Sequence, residues 1–194
     1  MILHPFLAEF VGTAVLLLLG AGVVSNVNLK KTIASDQTPW LLITSAWGFA
    51  VFTGVFISSQ SSGAHLNPAV TLGFAFAGKF SWSLVPTYFA AQLLGAMLGS
   101  WLSYIVYIDH HRVTSDEEAV RSTFCTGPAI RNFKNNFFSE AVGTFVLVFG
   151  ALFIVSPNIN IVGSEVENFG LGALDALPIG ILVWVIGIAL GGTT

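Results

Sequence analysis

Residues 62–71, with the sequence SGAHLNPAVT, decide the fold of this chain. Asn67 can cap the free N–H groups at the start of a helix, and Pro68 suits the first helical position. The segment from Pro68 to about Ala77 is apolar and short, and roughly ten residues of helix rise only about 15 Å. In a membrane with a hydrocarbon core of about 30 Å, this segment is a half-helix that brings Asn67 and the positive helix end near the midplane.

The composition places the chain in a membrane. Hydrophobic residues make up 54% of its 194 residues, charged residues only 9%, and the mean hydropathy is +0.80. These values exclude a soluble globular domain and are typical of a polytopic membrane protein. The net charge of −3 gives no reason to expect a nucleic acid partner. Cys125 is the single cysteine, so it forms no internal disulfide and has no companions for a cysteine metal site.

Five apolar stretches are long enough to cross a membrane, and polar segments too short to be domains separate them. The predicted spans are about 6–25, 39–58, 81–107, 137–156 and 171–190, with the half-helix between the second and the third. The first is not a signal peptide, because no basic region precedes it and its apolar run is too long. We therefore expect one membrane domain over residues 1–194.

A short repeat relates the two halves of the chain. Residues 8–16, AEFVGTAVL, reappear as residues 139–147, SEAVGTFVL, with an offset of 131 positions. Three predicted spans precede the second copy, and because three is odd, that copy starts on the opposite side of the membrane. This pattern predicts an inverted repeat, in which solute sites form between the halves at mid-membrane. The first repeat is 6–107, with the re-entrant loop and half-helix at 62–78, and the second is 137–194.

The repeat also predicts the position of a partner for Asn67. Asn67 follows Glu9 by 58 positions, and the same step from Glu140 leads to position 198, beyond Thr194. We therefore expect the second repeat to be incomplete, with the second half-helix and the sixth span missing from this chain.

At this point a family resemblance is clear. Residues 63–71, GAHLNPAVT, resemble the first signature loop of the aquaporin, or major intrinsic protein, family. Residues 8–13 resemble its first helix, Glu140 falls at the counterpart in its fourth helix, and residues 187–194 resemble the approach to its second Asn-Pro-Ala loop. The resemblance covers essentially the whole chain. It implies an all-α membrane protein, an aquaporin-like inverted-repeat helical bundle with five full spans and one re-entrant half-helix.

The resemblance also implies a function. Members of this family are passive channels for water or small uncharged solutes, work without a cofactor and assemble as homotetramers in the lipid bilayer. Trp47 matches the aromatic residue of the selectivity constriction in glycerol facilitators, and Gly187 matches a position that is usually His in strict water channels. These two positions favour a glycerol facilitator. The alternatives are a water-selective aquaporin and a non-conducting truncated fragment or inactive subunit of a tetramer.

The candidate pore residues lie at the half-helix and at the constriction. Asn67 can donate its amide hydrogens to water or a hydroxyl, while the helix dipole disfavours cations and protons. The alternative is a helix cap inside a packed core. His65 either lines the pore or is a structural histidine bonded to the loop. The full candidate set is Asn67, Pro68, Ala69, Trp47, Gly187 and His65.

Three further polar side chains are expected to support the loops. A glutamate within lipid costs about 2.5–3.5 kcal/mol on insertion scales, so Glu9 and Glu140 should face protein and accept hydrogen bonds. The backbone N–H groups of the re-entrant loops need such acceptors. Direct contact of either glutamate with solute is the alternative. Gln92 should bond to a neighbouring helix or loop. Small residues at 91, 95 and 99, and again at 187 and 191, predict close helix contacts.

No motif indicates catalysis or a metal. Asp109, His110 and His111 are adjacent, and such residues on a flexible loop seldom make a metal site, so a solvated loop is predicted there. The sequence contains no set of a nucleophile, a base and an orienting group, and no phosphate-cradling glycine loop. The chain is therefore not expected to be an enzyme.

The predicted orientation and the charge pattern disagree. The family topology places the N-terminus in the cytoplasm, and the expected location is a bacterial-type plasma membrane. On that topology only Lys79 is inside, contrary to the positive-inside rule. The cations outside are Lys30, Lys31, Arg112, Arg121, Arg131 and Lys134. The signature loop is more specific than the charge count, so a cytoplasmic N-terminus is expected.

Overall fold

The computed structural model describes residues 2–35, 40–154 and 172–193. All regular structure in these ranges is helical. The α-helices are α1 (Pro5–Asn28), α2 (Trp40–Ser62), α3 (Pro68–Phe76), α4 (Val85–Val106), α5 (Ile108–Val113), α6 (Glu117–Ser122), α7 (Phe133–Phe153) and α8 (Leu177–Leu190). Turns of 3₁₀ helix, Trp82–Leu84 and Gly172–Ala176, precede α4 and α8.

Within the described ranges, four helices are long and apolar enough to cross a membrane: α1, α2, α7, and α4 together with its leading 3₁₀ turn. The fifth predicted span is shorter than expected, because α8 has 14 residues and therefore rises about 21 Å. The predicted starts of the second and fifth spans, at 39 and 171, lie outside the described residues. The half-helix is confirmed: α3 has nine residues and ends at Phe76.

Several helix ends differ from the prediction by three to six residues, and side-chain caps account for two differences around α6 and α7. Helix α7 begins at Phe133, four residues before the predicted start, because Asn132 accepts a hydrogen bond from the backbone N–H of Asn135. The polar segment between the third and fourth predicted spans contains two short helices, α5 and α6. Asp116 caps α6 by accepting from the N–H groups of Glu118 and Ala119.

Small residues let α4 pack directly on the backbone of α1. A Cβ atom added at Gly95 would lie 2.4 Å from the carbonyl oxygen of Phe10, and one at Gly99 would lie 2.2 Å from the carbonyl oxygen of Ala14. Ala91 is fully buried on the same face. The predicted close contact along residues 91, 95 and 99 is therefore confirmed.

Glycines also set the distance from α2 to its two neighbours. A Cβ atom at Gly54 would lie 2.8 Å from the Gly12 carbonyl oxygen of α1, and one at Gly48 would lie 2.9 Å from the Gly180 carbonyl oxygen of α8. Near the end of α8, Gly187 packs on Thr44, where an added Cβ atom would lie 3.1 Å from its Cγ2. Helix α2 is thus held between α1 and α8.

Candidate functional site

The loop before α3 reverses direction through unusual backbone conformations. Gly63 has φ +80°, Ala64 +52° and Leu66 +51°. Ala64 and Leu66 carry side chains, and left-handed conformations of this kind cost of order 1–3 kcal/mol unless surrounding contacts hold them. The loop therefore needs a strong, specific anchor.

Glu9 is that anchor. Its carboxylate is fully buried and accepts four hydrogen bonds, which come from α2, from the loop and from α4. Oε1 accepts from the Ser62 hydroxyl at 2.7 Å and from the His65 backbone N–H at 2.9 Å. Oε2 accepts from the Leu66 backbone N–H and from Gln92 Nε2, both at 2.8 Å. The Glu9 carboxylate thus faces two backbone N–H groups of the loop.

A second layer of hydrogen bonds joins the anchor to the half-helix. Gln92 Nε2 also donates to Thr71 Oγ1 at 3.0 Å, and Thr71 donates its hydroxyl hydrogen to the Asn67 carbonyl oxygen at 3.1 Å. His65 Nδ1 lies 3.2 Å from the same Thr71 oxygen. Because Thr71 has already given its one hydrogen to Asn67, we assign the proton of this contact to His65 Nδ1.

The His65 ring is also enclosed by aromatic side chains. Its centroid lies 4.9 Å from that of Phe74, 4.6 Å from Phe80 and 5.1 Å from Tyr88. Only 8% of the residue is exposed. The structure thus places His65 in a packed, hydrogen-bonded position that still contributes to the wall of a cavity described below.

Asn67 uses one end of its side chain for α3 and leaves the other end free. Its Oδ1 accepts from the N–H of Ala69 at 2.7 Å and of Val70 at 3.4 Å, with Pro68 at the first helical position. Within the described ranges its Nδ2 donates no hydrogen bond. The two interpretations of Asn67, a helix cap and a donor toward solute, are therefore compatible.

Two cavities that share lining residues lie beside this site. The Asn67 cavity, of about 560 Å³, is lined by the loop residues Gly63 and Ala64, by polar residues that include Ser59, His65, Asn67 and Asp175, and by apolar residues that include Val51, Val55, Phe74 and Ile179. The Gly187 cavity, of about 540 Å³, is lined by residues that include Asn28, Trp40, Thr44, Phe124, Cys125 and Gly187. Leu17, Trp47 and Val183 line both cavities. These three residues form the junction between them.

Glu140 has a different environment from Glu9. It is exposed and lines a groove of about 200 Å³ between α7 and α8, together with Ser139, Gly143 and Thr144. In the part of the chain that the structure describes, its carboxylate accepts no hydrogen bond. The loop-supporting role of Glu140 stays a prediction.

Sequence reasoning missed three members of the network around Glu9: Ser62, Thr71 and Tyr88. The Tyr88 hydroxyl donates to the Ser62 carbonyl oxygen at 2.7 Å. A signal was present, because Tyr88 and Gln92 are four residues apart and therefore share a face of α4. Ser62 and Thr71 lie within the quoted stretch, four or five residues from Asn67.

The predicted solvated loop at Asp109, His110 and His111 is instead helical, because these residues belong to α5. The His111 ring lies between Tyr104, at 4.9 Å between centroids, and Phe124, at 5.7 Å and nearly parallel. Among the described residues, no group of three or more metal-ligating side chains occurs. This cluster packs against the segment that lines the Gly187 cavity.

The packing of His111 is expected to weaken in acid. Burial, with a smaller contribution from His110, lowers the pKa of His111 below 6.5. Below pH 6.5 an open form of the segment therefore binds a proton that the packed form resists, so stability is full above pH 6.5 and declines as pH falls. A fluorophore on Cys125 should gain mobility between pH 7.5 and pH 5. His111→Phe, which keeps the ring stacking, should remove this pH dependence, whereas His110→Asn, which leaves the burial of His111 intact, should retain most of it.

The fold and the site together define a class of protein: a multi-pass helical membrane protein with a re-entrant half-helix beside two cavities that share lining residues. A model of the family described as major intrinsic protein matches residues 1–194. The chain belongs to the major intrinsic protein family.

Individual relatives agree with this assignment. The chain is 44% identical to the probable glycerol uptake facilitator protein of Thermotoga maritima, over 97% of this chain and 76% of the relative. It is 47% identical to glycerol uptake facilitator protein 3 of Lactiplantibacillus plantarum, over 97% and 73%. Among solved structures it resembles the aquaglyceroporin from Plasmodium falciparum, with a TM-score of 0.79, 33% identity, and coverage of 97% of this chain and 73% of that one.

Proposed function

We propose that this protein is a passive channel that carries glycerol, other small uncharged solutes and water across a membrane. One observation carries the proposal: the lining of the Asn67 cavity combines polar and apolar residues. Asn67, whose Nδ2 donates no hydrogen bond within the described residues, contributes polar lining, while Val51, Val55 and Ile179 contribute apolar lining. A polyol has hydroxyl groups that can form hydrogen bonds with the polar lining and a carbon backbone that can contact the apolar lining at the same time. The names of the relatives, glycerol uptake facilitators, support the same solute class.

The polar lining of the Asn67 cavity can replace the hydrogen bonds to water that a solute loses on entry. The Asn67 amide offers donors, and the backbone carbonyls of Gly63, Ala64 and His65 offer acceptors that accept no hydrogen bond within the described residues. Backbone carbonyls and side-chain amides are the groups with which channels compensate dehydration. The N-terminus of α3 adds a partial positive charge that disfavours cations at this depth.

Trp47 and Gly187 are proposed to set solute selectivity. Trp47 lies at the junction of the two cavities, where its indole offers an apolar surface to a carbon backbone. Gly187 lines the Gly187 cavity without a side chain, which leaves the passage wide. Transport through such a path involves no covalent step. We further propose a homotetramer in the plasma membrane with a cytoplasmic N-terminus, as the family resemblance implies.

Vesicle swelling tests this function. The protein is reconstituted into liposomes, which are then exposed to an inward glycerol gradient while light scattering reports their volume. Protein-containing vesicles should shrink and then reswell faster than empty ones, because water leaves first and glycerol follows. Rapid shrinkage without faster reswelling would favour the water-selective alternative. Behaviour identical to that of empty vesicles would overturn the proposal.

Asn67→Ser separates the role in the pore from the role as a cap. Serine is about as good an N-cap as asparagine, so thermal stability should change by no more than a few tenths of a kcal/mol. Serine lacks the amide that faces the cavity, so glycerol permeability should fall about fivefold, as expected for one lost hydrogen bond of about 1 kcal/mol. Unchanged permeability would show that Asn67 acts only as a cap.

A further inference from the structure

Gly20 of α1 lies directly beneath the Trp47 indole. A Cβ atom at Gly20 would stand 2.4 Å from Cζ3, 2.5 Å from Cη2 and 2.6 Å from Cε3 of Trp47. These distances are about 1 Å shorter than an ordinary carbon contact of about 3.5–4.0 Å. All three atoms belong to the benzo ring of the indole, so this half of the side chain lies against bare backbone. The indole can occupy its observed place only because residue 20 has no side chain.

The helices cannot separate freely to make room for a side chain at residue 20. Helix α1 meets α2 at Gly12 and Gly54, where backbone approaches backbone, and α2 meets α8 in the same way at Gly48 and Gly180. Movement of α2 away from α1 would therefore press it into α8. The side chain of Trp47 has an easier path, because it borders the two cavities. Any group at position 20 drives the indole toward the open junction.

The junction is where such a displacement has most effect. Leu17 and Val183 are the other residues that line both cavities, and Leu17 precedes Gly20 by one turn of α1. A ring that leaves the surface of α1 moves into the space that these residues share. The passage then narrows at its apolar wall while Asn67 and the polar loop stay unchanged.

We propose that Gly20 is a specificity-determining position, which sets the width of the junction by giving Trp47 a place against α1. This inference rests on the proposed function, because it assigns a selectivity role within the same path. Gly20 touches no solute and acts through Trp47, so it is a positioning residue. Narrowing should hinder glycerol much more than water, since the larger solute needs the full width.

Glycerol and water permeabilities of reconstituted variants test this role. Gly20→Ala should lower glycerol permeability about tenfold, which corresponds to about 1.4 kcal/mol on the barrier, and water permeability much less. Gly22→Ala is the matched control, because the nearest atom to a Cβ there is Ser103 Oγ at 4.0 Å. It should leave both permeabilities unchanged. If Gly20→Ala leaves the ratio of glycerol to water permeability unchanged, whether both permeabilities fall equally or neither falls, the inference is overturned.

A second substitution separates the effect on Trp47 from a general defect. Phenylalanine lacks the benzo half of the indole that makes all three contacts, so Gly20→Ala with Trp47→Phe should recover the glycerol permeability of Trp47→Phe alone. Failure of this recovery would contradict the inference even if Gly20→Ala alone assembles poorly. The proposed function is judged separately, because wild-type vesicles that exclude glycerol would refute it. If the wild-type protein conducts glycerol and Gly20→Ala leaves the ratio of glycerol to water permeability unchanged, only the role of Gly20 is refuted.

Discussion

Glu9→Ala is expected to collapse the loop before α3 and to abolish glycerol flux. The substitution removes the acceptor of four hydrogen bonds, so the N–H groups of His65 and Leu66 and the side chains of Ser62 and Gln92 lose a partner. Each buried donor that is left without an acceptor costs about 1–3 kcal/mol. The strained conformations of Ala64 and Leu66 would then lose their support. Thermal unfolding in detergent and vesicle swelling measure both effects.

Two further variants define the cause of that loss. Glu117→Ala removes an exposed glutamate of α6 and should change neither stability nor flux. Glu9→Gln keeps the shape of the side chain but replaces one acceptor by an NH₂ donor that faces other donors, so its stability should lie between wild type and Glu9→Ala. If Glu9→Ala unfolds at the wild-type temperature and conducts normally, the proposed anchoring is wrong.

Gly99→Ala is expected to disrupt the contact between α1 and α4. Its new methyl group would lie 2.2 Å from the Ala14 carbonyl oxygen and 2.9 Å from the Leu18 backbone nitrogen, and backbone atoms cannot rotate away. Overpacking of this kind costs about 1–3 kcal/mol and sometimes more. Because Gln92 lies on α4, a displaced helix would also weaken the bonds to Glu9 and Thr71. Lower thermal stability and lower flux should therefore occur together.

Gly22→Ala provides the comparison for this helix pair. Gly22 is also a helical glycine that faces α4, but an added Cβ atom there has 4.0 Å of clearance from Ser103 Oγ. Its stability should stay near that of wild type. Equal stability of the Gly99→Ala and Gly22→Ala proteins would mean that the close backbone contact at Gly99 is unimportant.

Much of the fold could be predicted because its signals are local or periodic. The cap at Asn67 and the proline after it located the half-helix, and the spacing of Ala91, Gly95 and Gly99 indicated a face of α4 that packs closely. A glutamate in an apolar helix must find donors, which led to Glu9 as a loop support. Each of these inferences uses residues within about two turns of one helix or a strong energetic penalty.

Features that depend on contacts between distant segments could not be predicted in this way. The pairing of Gly20 with Trp47 joins two helices and depends on the rotation of each about its axis. Helices α5 and α6 are short and polar, so hydrophobic periodicity gives no signal for them. The stacking of His111 on Phe124 likewise requires the path of the intervening chain. Such contacts are set by tertiary packing.

The central claim is that solutes pass through the junction between the Asn67 and Gly187 cavities, and modification of Val183→Cys tests it most directly. Val183 lines both cavities, whereas Val185 of the same helix is 52% exposed on the outer surface. Each cysteine is introduced into a Cys125→Ser protein and treated with a small polar thiol reagent, and glycerol flux is then measured. The proposed path predicts block of flux at Val183→Cys and unchanged flux at Val185→Cys. Full flux after confirmed modification of Val183→Cys would contradict it.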